Sequence, residues 1–230
     1  MTLDQLRESV LGQDAPSIVA SVLSDGTRPA CITCSFQAED MIVVDLARRL
    51  SPGIPVLFLD TGYHFPETCA YRDRMTQEWG LNLVSLQAEQ TVAQQEAEFG
   101  KLYESDPTRC CALRKVAPLQ KALAGFEIWL TGLRREQSPT RAALKEAEIQ
   151  LLLSGKPVLK VNPLAAWTAK EVWAYLRANA IPVLSLYDQG YTSIGCQPCT
   201  SLPADPENPR SGRWGGRKLE CGIHTTGHGA

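Results

Sequence analysis

The sequence lacks features that mark several broad classes of protein. Its formal net charge is −2 at pH 7, whereas a general nucleic-acid binder is usually basic overall, so any positive site must be local. No apolar run approaches the length of a membrane-spanning helix. Residues 1–8 are polar and amphipathic and do not resemble a signal peptide, so we expect a cytosolic protein without a membrane partner.

Glycine is missing where many nucleotide-binding loops need it. The segment Ser35–Asp40 follows the first predicted strand and contains no glycine. It is therefore neither a Walker-type phosphate loop nor a glycine-rich dinucleotide fingerprint. Internal repeats and low-complexity segments are also missing, which leaves an ordinary globular chain.

The pattern of apolar residues predicts an α/β fold. The chain has 230 residues, of which 44% are hydrophobic and 21% charged, enough for one sizeable domain. Predicted strands and helices alternate, which indicates a mostly parallel sheet covered by helices on both faces. The strands are expected at 29–35, 55–59, 83–86, 127–131 and 158–161, and the helices at 38–50, 66–79, 91–99, 108–124 and 169–179. Residues 1–202 would form this domain, and residues 203–230, rich in Pro, Gly and Arg, a flexible tail.

Cysteine is abundant, with eight in the chain, and in a reducing compartment this indicates metal ligands, catalytic thiols or core residues. Two close pairs, Cys110-Cys111 and Cys196-x-x-Cys199, offer four soft thiolates for zinc or an iron–sulfur cluster. Adjacent side chains on a helix diverge by about 100°, which suits a single zinc ion poorly and a larger cluster better. The alternative is a helix that merely buries two small thiols.

Three other cysteines are predicted to be packing residues. Cys31 and Cys34 also have C-x-x-C spacing, but they lie on a predicted strand, where residues three apart point to opposite faces. They cannot readily share a ligand there. Cys69 falls within a predicted helix.

Cys221 is the candidate nucleophile. Four cationic side chains precede it, Arg210, Arg213, Arg217 and Lys218. Cations favour the thiolate, which is the reactive form, and they neutralise an anionic substrate. Nearby glycines would let the segment fold over a site and reopen. The alternative is a frayed terminus with a chance cysteine.

Polar junctions follow three of the predicted strands, at residues 35–40, 59–68 and 131–138. The carboxyl ends of parallel strands share one edge of a sheet, where open α/β folds bind ligands. Helix starts there also attract anions. The junctions therefore suggest a nucleotide-like ligand, unless Arg134, Arg135 and Arg141 simply form a solvated face.

Together these motifs resemble the sulfonucleotide reductase family, and within it the iron–sulfur branch that reduces adenosine 5′-phosphosulfate (APS) in sulfate assimilation and cysteine biosynthesis. The resemblance is spread over most of the chain from about residue 30 onward. The matching segments are residues 35–40, 59–68, 108–115, 131–138, 190–199 and 210–224. The paired cysteines together with Glu-Cys-Gly-Ile-His at 220–224 carry it most specifically.

The resemblance implies an adenine-nucleotide α-hydrolase-like fold and a cytoplasmic enzyme. It implies a 4Fe-4S cluster on Cys110, Cys111, Cys196 and Cys199. Cys221 would attack the sulfur of APS, AMP would leave, and thioredoxin or a similar dithiol would release sulfite from an S-sulfocysteine. By motif position Lys115 would lie between cluster and sulfate. The phosphosulfate ligands would be Arg210, Arg213 and His224, and the adenosine contacts Ser35, Phe36, Gln37, Leu59 and Gly132.

Three other functions stay open from the sequence. The first is reduction of the 3′-phosphorylated nucleotide (PAPS), although family members of that type generally lack both cysteine pairs. The second is an ATP-pyrophosphatase of the same fold, although such enzymes carry glycines in the first loop. The third is a zinc-stapled binding domain. A homo-oligomer is possible in every case.

Overall fold

The computed structural model describes residues 1–24, 26–205, 208–218 and 220–224. Within these residues six strands form one sheet: β1 (Ala30–Thr33), β2 (Pro55–Asp60), β3 (Asn82–Gln87), β4 (Ile128–Leu130), β5 (Ala147–Leu151) and β6 (Pro157–Val161). The α-helices are α1 (Leu3–Val10), α2 (Ala15–Leu23), α3 (Ala38–Arg48), α4 (Pro66–Trp79), α5 (Val92–Phe99), α6 (Leu102–Ser105), α7 (Pro107–Cys111), α8 (Ala117–Leu123) and α9 (Ala169–Ala178). None of the described helices is both long and apolar enough to cross a membrane.

The sheet has the order β3-β2-β1-β4-β6-β5, and all neighbours are parallel except β5 and β6. The chain winds outward from β1 to β3 and then continues with β4 on the other side of β1. The strand order therefore reverses between β1 and β4, which is where such sheets open a crevice at their carboxyl edge. The predicted α/β class is confirmed, and the antiparallel strand β5 is an addition that the sequence analysis missed.

Alternating residues of the central strands bury the two faces of the sheet separately. In β1, Ile32 packs in the large cluster with α2, α3, α4 and α9, whereas Cys31 packs on the opposite face with α8. Trp129 of β4 shares the second face. Cys34 lies in the large cluster, so the two thiols do face opposite sides, as the strand geometry predicted. Cys69 lies on α4 and is only partly buried.

The N-terminal residues form two helices that the sequence analysis did not assign. Helix α1 begins after a capping box, in which the Thr2 side chain accepts from the Gln5 backbone and the Gln5 side chain accepts from the Thr2 backbone. The Asp14 side chain caps α2 in a similar way by accepting from Ser17 N–H. Both helices bury apolar residues in the large cluster, so they belong to the domain core.

The single helix predicted over 108–124 is wrong in its middle. A π-helical turn, Ala112–Val116, separates α7 from α8. Pro118 stands in the first turn of α8, where it has no N–H to donate to the carbonyl four residues earlier, at Arg114. The wider turn places Arg114 inward, where it donates to the carbonyl of Thr61 and to the side chain of Gln95. Such π-turns are frequent at functional sites.

The described part of the predicted tail packs against the domain. Gly212 O accepts from Ser201 N–H at 2.9 Å, and Arg213 forms an antiparallel bridge with Thr200. Gly212 is required here because a Cβ would overlap the Ser201 carbonyl. Arg213 and Trp214 are buried. Residues 206–207, 219 and 225–230 of the predicted tail lie outside the described residues, and its mobility stays a prediction.

A buried carboxylate joins α3 to α9. Asp45 is 1% exposed and accepts hydrogen bonds from Arg48 at 2.8 Å, Arg49 at 2.6 Å and the Tyr175 hydroxyl at 3.0 Å. Because Tyr175 belongs to α9, Asp45 fixes the helix that closes the large cluster. The arginines remain partly exposed, so water can solvate them if the carboxylate is removed.

Replacing Asp45 with Ala should therefore lower the free energy of unfolding by about 2 kcal/mol, the scale of hydrogen bonds to a buried charge. Urea denaturation of the purified protein measures this change. Asp73→Ala is the matched control, because Asp73 is exposed and pairs with its neighbour Arg72. Surface pairs contribute little to stability. Equal losses of unfolding free energy in both variants would therefore contradict this role of Asp45.

Candidate functional site

A cavity of about 220 Å³ opens at the carboxyl edge of the sheet, where the strand order reverses. Thr33 at the end of β1, Leu59 of β2 and Thr131 after β4 contribute to its walls, and the C-terminal segment covers it. Nine residues predicted as the nucleophile or as substrate contacts line this one cavity: Ser35, Gln37, Leu59, Lys115, Gly132, Arg210, Arg213, Cys221 and His224. The fold therefore brings together segments up to 189 positions apart in the chain.

Phe36, another predicted adenosine contact, does not line this cavity with its side chain. Its ring is fully buried in the large cluster, in edge contact with Phe58 and Tyr71. Its φ of 60° turns the chain sharply out of β1, a conformation that non-glycine residues seldom adopt. A ligand contact at Phe36 would have to come from its backbone.

Asp40 organises the loop after β1, although the sequence analysis did not single it out. Its carboxylate accepts from both the backbone N–H and the hydroxyl of Ser35, each at 2.6 Å. Burial raises the pKa of Asp40 to about 6, and the bonds from Ser35 limit the rise. Gly132 is required opposite, because a Cβ there would overlap Asp40. Asp40 therefore joins the junctions after β1 and β4.

The four predicted ligand cysteines line a second, smaller cavity next to the first. Cys110 and Cys111 come from α7, and Cys196 and Cys199 from the turn Gln197–Cys199 and its start. Two independent segments thus present four thiols to one space. The Thr61 hydroxyl contacts the Cys196 sulfur at 3.2 Å.

These thiols form a donor set that fits a soft metal centre. Burial and the neighbouring thiols raise the pKa of Cys110 and of Cys199 to about 11. Cys110 and Cys199 therefore keep their protons at neutral pH unless a metal compensates the charge of the thiolates. Among the described residues, no three His, Cys, Asp or Glu side chains form a ready site for a single metal ion.

Lys115 lies on the wall between the two cavities. It belongs to the π-helical turn and lines both spaces, as do Cys196 and Trp214. Burial alone would lower the pKa of Lys115, but the nearby thiols Cys196, Cys221 and Cys111 raise it above its usual value overall. Lys115 is therefore a charged ammonium at neutral pH, next to both the candidate nucleophile and the cysteine cavity.

The tail supplies a tightly packed cation to the large cavity. Arg213 donates to the Thr200 hydroxyl at 2.9 Å and lies 4.6 Å from the centroid of the Trp214 ring. Gly195 is required beside it, because a Cβ there would overlap the guanidinium. Gly195 belongs to the matching segment 190–199, and its contact with Arg213 gives it a physical role.

His224 closes the other end of the cavity. Its ring stacks on Trp129 at 5.5 Å between centroids, and its backbone carbonyl accepts from Lys160 at 3.3 Å. Burial, aided by the charges of Lys160 and nearby arginines, lowers the pKa of His224 well below its usual value. Within the described part of the chain, buried nitrogens without a partner include Arg213 Nε and His224 Nδ1. Both residues line the cavity, and an anion bound there would supply acceptors.

Known proteins resemble this chain in sequence, and solved structures resemble it in fold. The adenosine 5′-phosphosulfate reductase of Rhodococcus opacus (strain B4) is 48% identical over 207 residues, which cover 88% of this chain and 82% of that protein. The crystal structure of phosphoadenylyl-sulfate reductase from Candida auris superposes with a TM-score of 0.70 at 26% identity, covering 85% of this chain and 94% of the other.

A more distant structure shows the fold alone. FMN adenylyltransferase of Candida glabrata matches with a TM-score of 0.57 at 14% identity, covering 88% of this chain and 65% of that one. The adenine-nucleotide α-hydrolase-like fold is thereby confirmed.

The family model of the phosphoadenosine phosphosulfate reductase domain matches residues 29–202, from the first strand to just beyond the second cysteine pair. That range holds the sheet, three of the junctions at its carboxyl edge and the four paired cysteines. With this match and a relative at 48% identity, the chain belongs to the phosphoadenosine phosphosulfate reductase domain family.

Proposed function

We propose that this protein reduces adenosine 5′-phosphosulfate to sulfite and AMP. One observation carries the proposal: a thiol, Cys221, shares a cavity with the cations Lys115, Arg210 and Arg213 and with the loops after β1 and β4. The loops provide the setting for a nucleoside at the reversal of strand order. The cations suit a phosphosulfate group, and relatives at 46–48% identity are named for this reaction.

The chemistry follows from the charges. The Cys221 thiolate attacks the sulfur of the sulfate group, an S–S bond forms, and the S–O bond to phosphate breaks. AMP leaves with the electron pair of that bond, and the protein carries an S-sulfocysteine. Attack by one anion on another meets repulsion, which the ammonium of Lys115 and the guanidinium groups offset.

A dithiol donor of the thioredoxin type completes the reduction. One donor thiol attacks the Cys221 sulfur and releases sulfite, and the second resolves the mixed disulfide, which returns Cys221 as a thiol. The external donor is proposed because Cys221 is the only cysteine between residues 203 and 230. We assign the reaction to the cytoplasm, where such dithiols are kept reduced.

A 4Fe-4S cluster is part of the proposal. Cys110, Cys111, Cys196 and Cys199 would hold it, because they offer four thiols from two segments to one cavity. Such a cluster supplies a fixed, charged centre beside the sulfate site. Lys115 faces both spaces from the shared wall, and its ammonium orients the sulfate group.

Incubation of the purified protein with adenosine 5′-phosphosulfate, without a dithiol, should add the mass of one sulfur trioxide unit to the chain. Intact-mass spectrometry measures the adduct, and peptide mapping should locate it on Cys221. Cys221→Ser should keep its metal content and fold but form no adduct and no sulfite. Cys69→Ser is the matched control, since Cys69 is a partly buried thiol outside the cavity. A wild-type chain that never gains this mass would contradict the proposal.

The nucleotide preference separates this function from its two closest rivals. With a thioredoxin-type donor, sulfite should form faster from APS than from its 3′-phosphorylated form, and ATP should yield no pyrophosphate. Equal or faster turnover of PAPS would assign the protein to the other reductase type. Release of pyrophosphate from ATP would favour an adenylating enzyme, whose fold this chain shares.

Anaerobic purification should give a brown protein with about four irons and four acid-labile sulfides per chain. Cys199→Ser should lose most of this iron, because one thiolate ligand is missing, whereas Cys34→Ser at a buried core position should retain it. Iron and sulfide are counted chemically, independently of activity. A colourless protein with one zinc per chain would contradict the cluster.

A further inference from the structure

The residue before the candidate nucleophile is held by two arginines of the cavity wall. The Glu220 carboxylate accepts from Arg141 through both of its oxygens, at 2.9 and 2.8 Å, and from Arg210 at 3.4 Å. The Thr140 hydroxyl adds a fourth bond at 3.0 Å. Arg141 and Thr140 follow β4, whereas Glu220 and Arg210 belong to the C-terminal segment, so this carboxylate joins two separate parts of the site.

Glu220 acts from behind the cavity wall. Arg141 and Arg210 both line the 220 Å³ cavity, but among the described lining residues Glu220 is not included. The three side chains are largely buried, between 11 and 17% exposed. The carboxylate therefore holds two guanidinium groups that line the cavity. The third nitrogen of Arg141 donates to Gln137, which also lines the cavity.

The chain is also anchored on the far side of Cys221. Three residues beyond it, the His224 carbonyl accepts from Lys160, a buried lysine of β6 that pairs with Glu148 at 2.9 Å. The Cys221 segment is thus attached at both ends, to the loop after β4 through Glu220 and to β6 through His224. A thiol fixed at both flanks loses little further freedom when it reacts.

Resting on the proposed function, we propose that Glu220 is a positioning residue for Cys221. Its bidentate pair with Arg141 aims the thiol at the cavity and separates two guanidinium groups that would otherwise repel each other. The carboxylate is ionised when it holds these arginines. Burial alone would raise the pKa of Glu220, but the hydrogen bonds and charges of Arg141 and Arg210 lower it overall.

If Glu220 has this role, loss of its charge should slow the reaction without weakening nucleotide binding. Removing the negative charge frees positive charge beside the cavity, so an anionic nucleotide should bind as well as before or more tightly. Loosening the segment should slow transfer to the thiol, because a misplaced reacting group loses rate steeply. A residue that served only folding would impair both quantities together.

The proposal is tested by single-turnover formation of the Cys221 adduct from APS, followed by rapid quench and intact mass at several nucleotide concentrations. For Glu220→Gln the first-order rate constant should fall about tenfold or more, the scale of a lost orienting contact. The dissociation constant should stay within about threefold of wild type or decrease. An unchanged or higher rate constant, or a slower rate together with binding weakened by more than about threefold, would overturn the proposal. Glu220→Asp serves as a second variant if the first does not fold.

Glu146→Gln is the matched control. Glu146 is 17% exposed, like Glu220 at 16%, and pairs with Arg135 at 2.8 Å outside the cavity wall. It should leave both constants unchanged, and an equal loss of rate in both variants would overturn the proposal. The reference is wild type: if it forms no adduct, the proposed function fails, whereas a normal wild type with an unaffected Glu220→Gln rejects only the positioning role.

Alkylation provides a readout without substrate. In Glu220→Gln, neutral iodoacetamide should modify Cys221 about threefold faster or more relative to Cys69 in the same chain, because the released segment exposes its thiol more often. Peptide mapping measures the ratio of the two modified peptides. An unchanged ratio would overturn the proposal, since the segment would then be held without this carboxylate.

Discussion

Like-charge repulsion among buried cations is the constraint on which the site depends. Lys115, Arg141, Arg210 and Arg213 all line one cavity of about 220 Å³, and burial makes each charge more costly than it would be in water. The fold compensates three of them through neighbouring groups. Glu220 pairs with Arg141 and Arg210, and the Trp214 ring contacts Arg213. The cations can therefore be held in place before an anion arrives.

The position of the cavity follows from the topology of the sheet. Because the strand order reverses between β1 and β4, the loops after these strands diverge and leave a crevice. Asp40 and Gly132 bring the two loops into contact at its base. The C-terminal segment then closes the crevice from above, and the π-helical turn inserts Lys115 from the side. The proposed sulfonucleotide chemistry would thus use the edge of the sheet where open α/β folds bind ligands.

The sequence predicted the parts of this molecule that have strong local signals. Apolar runs and proline or glycine punctuation located the parallel strands, and residues of the paired cysteines and of the arginine-rich segment line the two cavities. The antiparallel strand β5 was missed because its burial pattern is irregular. The helix through Cys110 was predicted as continuous because its apolar period continues across Ala112–Val116, and only Pro118 marks the break.

The missed site residues have a common physical cause. Asp40, Arg141 and Glu220 act through contacts with segments far along the chain, and Arg141 and Glu220 are 79 positions apart. No local spacing reveals such a pair, because charged residues are ordinary in solvent-exposed loops. Only the fold shows that Arg141 and Glu220 are largely buried and paired, and that Asp40 lies against Gly132 in the loop after β4. The resemblance to a family identified motifs, whereas the contacts that orient those motifs required coordinates.

The shared wall between the two cavities gives the proposed cluster a role beside the proposed group transfer, which needs no one-electron step. Lys115 lines both spaces, together with Cys196 and Trp214. Lys115 would place its ammonium between a cluster held by the four thiols and the sulfate site, so the charge in one cavity would act on the other through a single side chain. Glu220 holds two guanidinium groups of the same large cavity by charge.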